Sequence, residues 1–259
     1  MNLSENWAAG RIALVTGATS GFGEAMARRV LAAGGKVIAT GRREDRLARL
    51  AQDAPAGMIC TVPLDVSVKG AGQELLAAIP DGFREVDILF NNAGLALGLE
   101  PAHKADLEGW ETMIATNVAG LARVTHAILP GMVERNRGHI INLSSIAANY
   151  PYPGGNIYGG TKAFVRQFSL NLRSDLLGTR VKVTSLEPGL CETEFSVVRF
   201  GGDTERARQL YAGVDALTAE DVIDSAEAVL RLPEHLNVNT MEIMPVQQAA
   251  APLTVVRGI

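Results

Sequence analysis

The chain has 259 residues, of which 47% are apolar and 20% charged, and its formal net charge is −4. This length and composition suit one large α/β domain with a sizeable core. An acidic balance without any Lys/Arg-rich run argues against nucleic acid and anionic membranes as partners. No apolar run reaches the roughly 18 residues of a membrane span.

The cysteine content and the N-terminal residues both favour a reducing compartment, the cytoplasm. Cys60 and Cys191 are too few for a disulfide framework, and no Cys/His cluster has the spacing of metal ligands. The first residues of the chain lack the apolar centre of a signal peptide. We therefore expect free thiols, no metal site and a cytoplasmic location.

Short apolar runs alternate with amphipathic stretches along the chain. In chain order, the predicted elements are strand 11–16, helix 21–33, strand 36–40, helix 44–51, strand 58–65, helix 69–79, strand 86–92, one long helix within 107–135, strand 138–145, helix 159–177, strand 181–189, helix 219–230 and strand 241–246. Strands this short and apolar are typical of a parallel sheet that is buried on both faces. The pattern predicts an α/β, single-domain Rossmann fold over residues 1–259, with a doubly wound, seven-stranded parallel sheet and helices on both faces.

One segment between the sixth strand and the last helix breaks this alternation. Residues 190–213 have no regular pattern and are predicted to form a long loop. Ligands bind at the carboxyl ends of the strands in such sheets. We expect this segment to cover the substrate there.

A glycine-rich turn follows the first strand. Residues 16–23 read TGATSGFG, between a strand and a helix. Gly17 would permit the tight turn, Gly21 would let backbone amides approach a pyrophosphate, and Gly23 would allow close packing of the helix. Amides and the helix dipole would then hold the phosphates. A dinucleotide site is favoured over a purely structural turn.

The end of the second strand indicates which dinucleotide binds. Enzymes that use NAD place an acid there for the ribose 2′-hydroxyl, but this chain has Arg42 and Arg43. Paired guanidinium groups suit a 2′-phosphate, which predicts NADP as the cofactor. Arg42 is the preferred contact of the two, and the alternative is that one arginine is a solvated residue at the start of a helix.

A tyrosine and a lysine at i, i+4 spacing predict acid/base chemistry. Tyr158 and Lys162 would lie on one face of a helix, where the ammonium lowers the pKa of the phenol. A phenol tuned in this way can exchange a proton with a substrate oxygen, although a surface pair would have the same spacing. Ser145 ends the fifth strand and could hold that oxygen. Ser144 should point to the opposite face.

Together these residues resemble the short-chain dehydrogenase/reductase family. The motifs that carry the resemblance are TGATSGFG (16–23), NNAG (91–94), Asn117, Ser145, YGGTK (158–162) and Pro188-Gly189, in family order over nearly the whole chain. The resemblance implies that Tyr158 is the general acid/base and that Ser145 orients the reacting oxygen. It implies that Lys162 binds the nicotinamide ribose and lowers the pKa of Tyr158, and that Asn117 anchors a water in a proton relay.

The resemblance also implies a set of cofactor contacts and an assembly. Asp65 and Val66 would lie beside the adenine, and Thr193 would bind the carboxamide. The expected cofactor-binding residues are Gly17, Thr19, Ser20, Gly21, Phe22, Gly23, Arg42, Arg43, Asp65, Val66, Asn92, Ala93, Gly94, Tyr158, Lys162, Pro188, Gly189 and Thr193. The family implies a homotetramer in which long helices pair across two-fold axes. The apolar residues Ala163, Phe164, Phe168 and Leu172 could serve the core or an interface, with the core as the default.

A narrower resemblance concerns the substrate. Residues 91–105, 161–173 and 187–200 resemble the bacterial NADP-dependent 3-hydroxy acid dehydrogenases, which include enzymes for serine and allo-threonine, and similar reductases act on sulfoacetaldehyde. Both groups imply a short anionic substrate such as serine, allo-threonine, 3-hydroxyisobutyrate or sulfoacetaldehyde. The competing hypotheses are a reductase for a large apolar ketone and a non-catalytic dinucleotide sensor.

An anionic substrate requires a cation in the pocket. Arg199, in the substrate-covering segment, is the hypothesised partner of the carboxylate or sulfonate. The alternative is a salt bridge at a subunit interface. Arg206 and Arg208 are expected on a solvated helix face instead.

Overall fold

A computed structural model describes residues 6–249 of the chain. Within them a seven-stranded, all-parallel sheet has the order β3-β2-β1-β4-β5-β6-β7. The strands are β1 Ile12–Thr16, β2 Lys36–Gly41, β3 Ile59–Pro63, β4 Ile88–Asn91, β5 Gly138–Leu143, β6 Val181–Pro188 and β7 Thr240–Ile243. The predicted doubly wound sheet is confirmed. The ends of the predicted domain, residues 1–5 and 250–259, lie outside the described residues.

Helices cover both faces of this sheet. The α-helices are α1 Gly21–Ala32, α2 Glu44–Asp53, α3 Ala71–Ala78, α4 Leu107–Ile114, α5 Leu121–Glu134, α6 Asn156–Asp175, α7 Glu194–Arg199, α8 Thr204–Tyr211 and α9 Ala219–Leu230. The core on one face joins α1, α2 and α9 through Met26, Val30, Leu47, Val222 and Ile223. The core on the other face joins α3, α5 and α6 through Leu75, Val124, Ile128, Met132 and Leu172.

The order of the strands reverses at β1. Leu14 of β1 pairs with Ile38 of β2 on one side and with Leu89 of β4 on the other. The chain therefore leaves β1 toward one half of the sheet and returns on its other side. A crevice opens outside the carboxyl ends of the strands at such a point, which positions the glycine-rich turn and the end of β4 at the same place.

The predicted long helix is interrupted. Between α4 and α5 the helix widens into a π-helical turn, Ala115–Gly120, which holds Asn117. A Cβ on Gly120 would lie 2.7 Å from Cγ2 of Val66, so the loop after β3 packs closely on this turn. π-Turns inside α-helices occur frequently at functional sites.

The prediction of an irregular loop over residues 190–213 is wrong. Two short helices, α7 and α8, form there, each capped at its N-terminus by the side chain of the preceding residue, Thr193 or Asp203. The buried Tyr211 holds the two ends of the segment together, because its hydroxyl donates to the Cys191 carbonyl oxygen at 2.8 Å. The predicted start of α6 is also late, because the helix begins at Asn156 rather than at 159.

None of the helices within residues 6–249 is long and apolar enough to cross a membrane. In the same range, no three His, Cys, Asp or Glu side chains are grouped as a metal site would need. Cys60 and Cys191 are free thiols.

Candidate active site

A cleft of about 660 Å³ opens at the carboxyl ends of the strands. It brings together nearly all the site residues that the sequence predicts: Gly17, Thr19, Ser20, Gly21, Phe22, Arg42, Arg43, Asp65, Val66, Asn92, Ala93, Gly94, Ser145, Tyr158, Lys162, Pro188, Gly189, Thr193 and Arg199. Gly23 and Asn117 do not line the cleft, and both support residues that do.

The glycine-rich turn is shaped by contacts that only glycine permits. Gly17 and Gly21 have φ of 66° and 52°. A Cβ on Gly17 would lie 2.8 Å from Nδ2 of Asn92, and one on Gly23 would lie 2.2 Å from the Gly17 carbonyl oxygen. The turn is therefore a shallow backbone cradle at the start of α1. Its shape and position fit a pyrophosphate.

Asn92 and Thr16 fix this turn against the end of β4. Nδ2 of Asn92 donates to the carbonyl oxygens of Thr16 and Gly17 at 2.9 and 3.2 Å. Oγ1 of Thr16 accepts from the backbone amides of Asn92 and Ala93 at 3.0 and 2.9 Å. The ends of β1 and β4, which lie next to each other where the strand order reverses, are thus hydrogen-bonded to one another.

The two predicted arginines lie at one end of the cleft but differ in their contacts. The Arg42 side chain is 65% exposed, with Nη1 3.9 Å from an Asp65 oxygen. Arg43 is fixed on the turn, where Nε and Nη2 donate to Oγ1 of Thr19 at 3.1 and 3.0 Å and Nη2 donates to Oγ of Ser20 at 2.6 Å. Two cations beside the turn fit a phosphorylated ribose. Arg43 is the more closely bound of the two to the glycine-rich turn, and the preference for Arg42 as the phosphate contact remains a prediction.

Tyr158 and Lys162 are buried together on the face of α6 that borders the cleft. Nζ of Lys162 donates to the carbonyl oxygen of Leu143, at the end of β5, at 2.8 Å and lies 5.8 Å from the centre of the Tyr158 ring. Burial lowers the pKa of Lys162 to about 8. The predicted shared face is confirmed.

The electrostatics of Tyr158 differ from the expectation. Burial raises the pKa of its phenol and the neighbouring Tyr152 adds to the rise, while a hydrogen bond with Ser145 and the charge of Arg199 lower it in part. Lys162 is not among the main causes of this shift, because its ammonium donates to a backbone carbonyl oxygen, and the lowering of the Tyr158 pKa by Lys162 remains a prediction. The phenol is therefore protonated at neutral pH.

The two candidate serines have separate positions. Oγ of Ser144 is buried and donates to the Lys162 carbonyl oxygen at 2.8 Å. Oγ of Ser145 accepts from the Ala147 amide at 3.1 Å and contacts the Pro188 carbonyl oxygen at 3.4 Å. Ser144 thus anchors α6, and Ser145 is the serine that hydrogen-bonds with Tyr158.

Asn117 joins the π-turn to the loop after β4. Its amide forms a reciprocal pair with the backbone of Leu95, at 2.9 Å to the N–H and 2.8 Å to the carbonyl oxygen, and Nδ2 also donates to Oγ1 of Thr161 at 3.1 Å. The buried polar side chain has the partners it needs. The water-anchoring role of Asn117 remains a prediction.

The opposite end of the cleft contains an unneutralised cation. Arg199 hydrogen-bonds to the Tyr152 hydroxyl and lies 3.5 Å from the Gly98 carbonyl oxygen. Its guanidinium carbon is 5.3 Å from the centre of the Tyr158 ring. Of the ion pairs within residues 6–249, none involves Arg199. The cleft therefore places a positive charge beside the phenol.

Arg206 and Arg208 are exposed on α8, as expected. Arg208 pairs with Glu205, and the guanidinium of Arg206 lies over the Phe200 ring. Neither lines the cleft.

Sequence reasoning missed several lining residues, above all Tyr152, Glu194 and Phe195. The Phe195 ring packs on Tyr158 with centroids 5.6 Å apart, and Glu194 pairs with Arg43. A signal for Tyr152 was present, because residues 150–153, just before Tyr158, are rich in aromatic residues and proline. Glu194 and Phe195 lie in the segment that was predicted to be irregular, where periodicity gives no guide.

Known proteins share this arrangement. Residues 11–200 match the family model described as short chain dehydrogenase. The NADP-dependent 3-hydroxy acid dehydrogenase YdfG of Salmonella typhi is 59% identical over 248 residues, which cover 95% of this chain and 100% of that protein. The serine 3-dehydrogenase of Rhizobium radiobacter is 53% identical over 244 residues, covering 94% and 97%.

A solved structure extends the likeness to three dimensions. The closed form of serine dehydrogenase complexed with NADP+ has a TM-score of 0.93 and 57% identity, and covers 95% of this chain and 100% of that one. Serine dehydrogenase from Escherichia coli has a TM-score of 0.80 and 54% identity, covering 92% and 99%.

Proposed function

This chain belongs to the short-chain dehydrogenase family, and we propose that it is an NADP-dependent dehydrogenase of short 3-hydroxy acids. The observation that carries the proposal is one cleft in which Arg199, a cation without a carboxylate partner among the described residues, lies beside Tyr158. The names of the relatives, 3-hydroxy acid and serine dehydrogenases that use NADP, support the same substrate class and cofactor.

The residues present fit NADP as the cofactor. The backbone cradle around Gly17 and Gly21 would hold the pyrophosphate, and Arg42 and Arg43 would hold the 2′-phosphate. The remaining contacts would come from Thr19, Ser20, Phe22, Asp65, Val66, Asn92, Ala93, Gly94, Pro188, Gly189 and Thr193. When bound, the nicotinamide accepts or supplies the hydride.

The protein supplies placement and proton transfer. In oxidation, the Tyr158 Oη takes the proton of the substrate hydroxyl, while Ser145 donates a hydrogen bond to the same oxygen. Lys162 holds the ribose and stabilises the phenolate electrostatically. In reduction Tyr158 returns the proton to the carbonyl oxygen. Because burial raises the pKa of Tyr158, the phenol carries its proton at neutral pH, as reduction requires, and oxidation should accelerate as the pH rises.

Arg199 would bind the acid group of the substrate. Its guanidinium is held by Tyr152 and the Gly98 carbonyl, so it is oriented before a substrate arrives. A carboxylate that pairs with Arg199 would place the neighbouring carbons over Tyr158. Segment 190–213, which carries both Arg199 and Phe195, would cover the bound substrate.

Turnover measurements with purified protein test the function directly. We expect NADP+ to support oxidation of L-serine, 3-hydroxypropionate and 3-hydroxyisobutyrate far better than NAD+ does, as followed by NADPH absorbance.

Tyr158→Phe should lower kcat by about 10² to 10⁴ and leave NADPH binding intact, since the general acid/base is lost and the cleft is not. Turnover of sulfoacetaldehyde alone would assign the sulfonate reductase instead, and NADPH binding without any turnover would indicate a sensor.

A charge-removing substitution tests the substrate class. Arg199→Met should raise KM for L-serine or 3-hydroxypropionate about 10- to 100-fold, because a charge-assisted hydrogen bond contributes about 1.5–3 kcal/mol. Arg208→Met, which removes a solvated arginine from the same segment, serves as the control and should change nothing. An unchanged KM in the Arg199 variant would refute its role.

We also propose a cytoplasmic homotetramer. Phe164 is 39% exposed and Ala163 is exposed, so these two residues are not in the core as expected by default, whereas Phe168, whose ring centroid lies 5.6 Å from that of Phe164, is partly buried against the core. Leu172 alone of that set is buried. An exposed phenylalanine on a long helix supports helix pairing between subunits. Light scattering should give four times the chain mass, falling in Phe164→Glu; a monomer in the wild type would contradict this.

A further inference from the structure

The short helix α7 is tied to the cofactor half of the cleft by a carboxylate. Glu194, the first residue of α7, accepts from Nη1 of Arg43 at 3.1 Å and from Nη1 of Arg46 at 2.9 Å to each of its two oxygens. Arg43 ends the loop after β2, and Arg46 is in α2. Within residues 6–249, these are the ion pairs that join segment 190–213 to the loop after β2 and to α2.

We propose that Glu194 is a positioning residue that fixes α7 across the cleft. Its ion pairs lie at the 2′-phosphate end of the cleft, and through α7 they set the position of the catalytic and substrate-binding groups. This inference rests on the proposed function. It adds a residue that touches neither the reacting atoms nor the substrate, and that acts through Arg43, Arg46 and α7.

The short length of α7 explains how Glu194 can affect groups at the other end of the helix. The helix has six residues, so Glu194 and Arg199 are its two ends, roughly 7 to 8 Å apart along its axis. Between them, Phe195 packs on the Tyr158 ring. A helix this short moves as one piece. A displacement at Glu194 therefore shifts both the aromatic cover of Tyr158 and the guanidinium of Arg199.

The other hydrogen bonds of the segment do not involve Arg43 or Arg46. At its start, the backbones of Leu190 and Glu192 bond to that of Leu217, and the Leu190 amide donates to Oε1 of Gln248. The Tyr211 hydroxyl donates to the Cys191 carbonyl oxygen at 2.8 Å and hydrogen-bonds to Ser196. At the far end, the Arg199 carbonyl oxygen accepts from the Gly98 amide at 3.1 Å. These bonds hold the segment to itself and to the substrate end. The carboxylate is what reaches the arginines of the cofactor end.

The arginine cluster can serve two anions at once. Arg43 turns Nε and Nη2 toward Thr19 and Ser20 of the glycine-rich turn and Nη1 toward Glu194. Arg46 is the second cation that faces Glu194, and Arg42 stays free of it. A phosphate beside the glycine-rich turn and Glu194 of α7 can therefore share the cluster, so that a bound phosphate is compatible with the observed position of α7.

A double-mutant cycle tests the ion pair. Glu194→Gln and Arg46→Gln should each speed NADPH dissociation about fivefold in stopped-flow fluorescence, the upper range for a half-exposed ion pair. Each should also raise KM for L-serine more than it changes kcat. The effects of the two substitutions should be less than additive in the double variant, because Glu194→Gln already removes the pair with Arg46. The effect should fade in molar salt, which screens exposed charges.

A matched control is available two residues away. Glu192→Gln removes the same charge from an exposed position without an ion pair in the described residues, and should behave as wild type. Additive effects in the double variant, or slower NADPH release from Glu194→Gln, would overturn the proposal. Failure of the wild type to bind NADPH would instead overturn the proposed function. Thermal melting of each variant identifies any that fails to fold.

Discussion

The bond from Lys162 to the Leu143 carbonyl is the contact on which the site depends. It ties the middle of α6 to the end of β5, so that the Lys162 side chain lies directly against the end of the strand. Ser144 repeats the tie in the opposite direction, from the strand to the Lys162 carbonyl. Because Tyr158 is one helical turn before Lys162, its phenol is thereby placed at the carboxyl edge of the sheet. The proposed chemistry follows from that placement.

Burial then sets the electrostatics of the two groups. An ammonium and a phenol that are both withdrawn from water are both biased toward their neutral forms, which lowers the pKa of Lys162 and raises that of Tyr158. Arg199 is the cation that opposes this bias at the phenol. The same residue that would recognise an acid substrate therefore favours the phenolate, so substrate binding and proton transfer share one charge.

The sequence predicted the parts of the molecule that follow from local pattern. Buried apolar runs predicted the seven strands. The spacing of the glycines predicted the turn, and Gly17 and Gly21 have a positive φ there. What failed depends on contacts between distant segments. The helices α7 and α8 are short. They are stabilised by N-terminal caps and by the hydrogen bonds of Tyr211 within the segment, which hydrophobic periodicity does not reveal. The raised pKa of Tyr158 likewise depends on tertiary burial that a four-residue motif does not contain.

We propose that Lys162 stabilises the phenolate form of Tyr158 when the cofactor is in place. The most direct measurement is the pH dependence of tyrosinate absorbance in wild type minus Tyr158→Phe, with and without NADP+, repeated in a Lys162→Met background. We expect a phenol pKa above the ordinary tyrosine value without cofactor, a lower one with NADP+, and a smaller change in the Lys162 variant. An ordinary pKa without NADP+, or a change of equal size in the Lys162 variant, would contradict it.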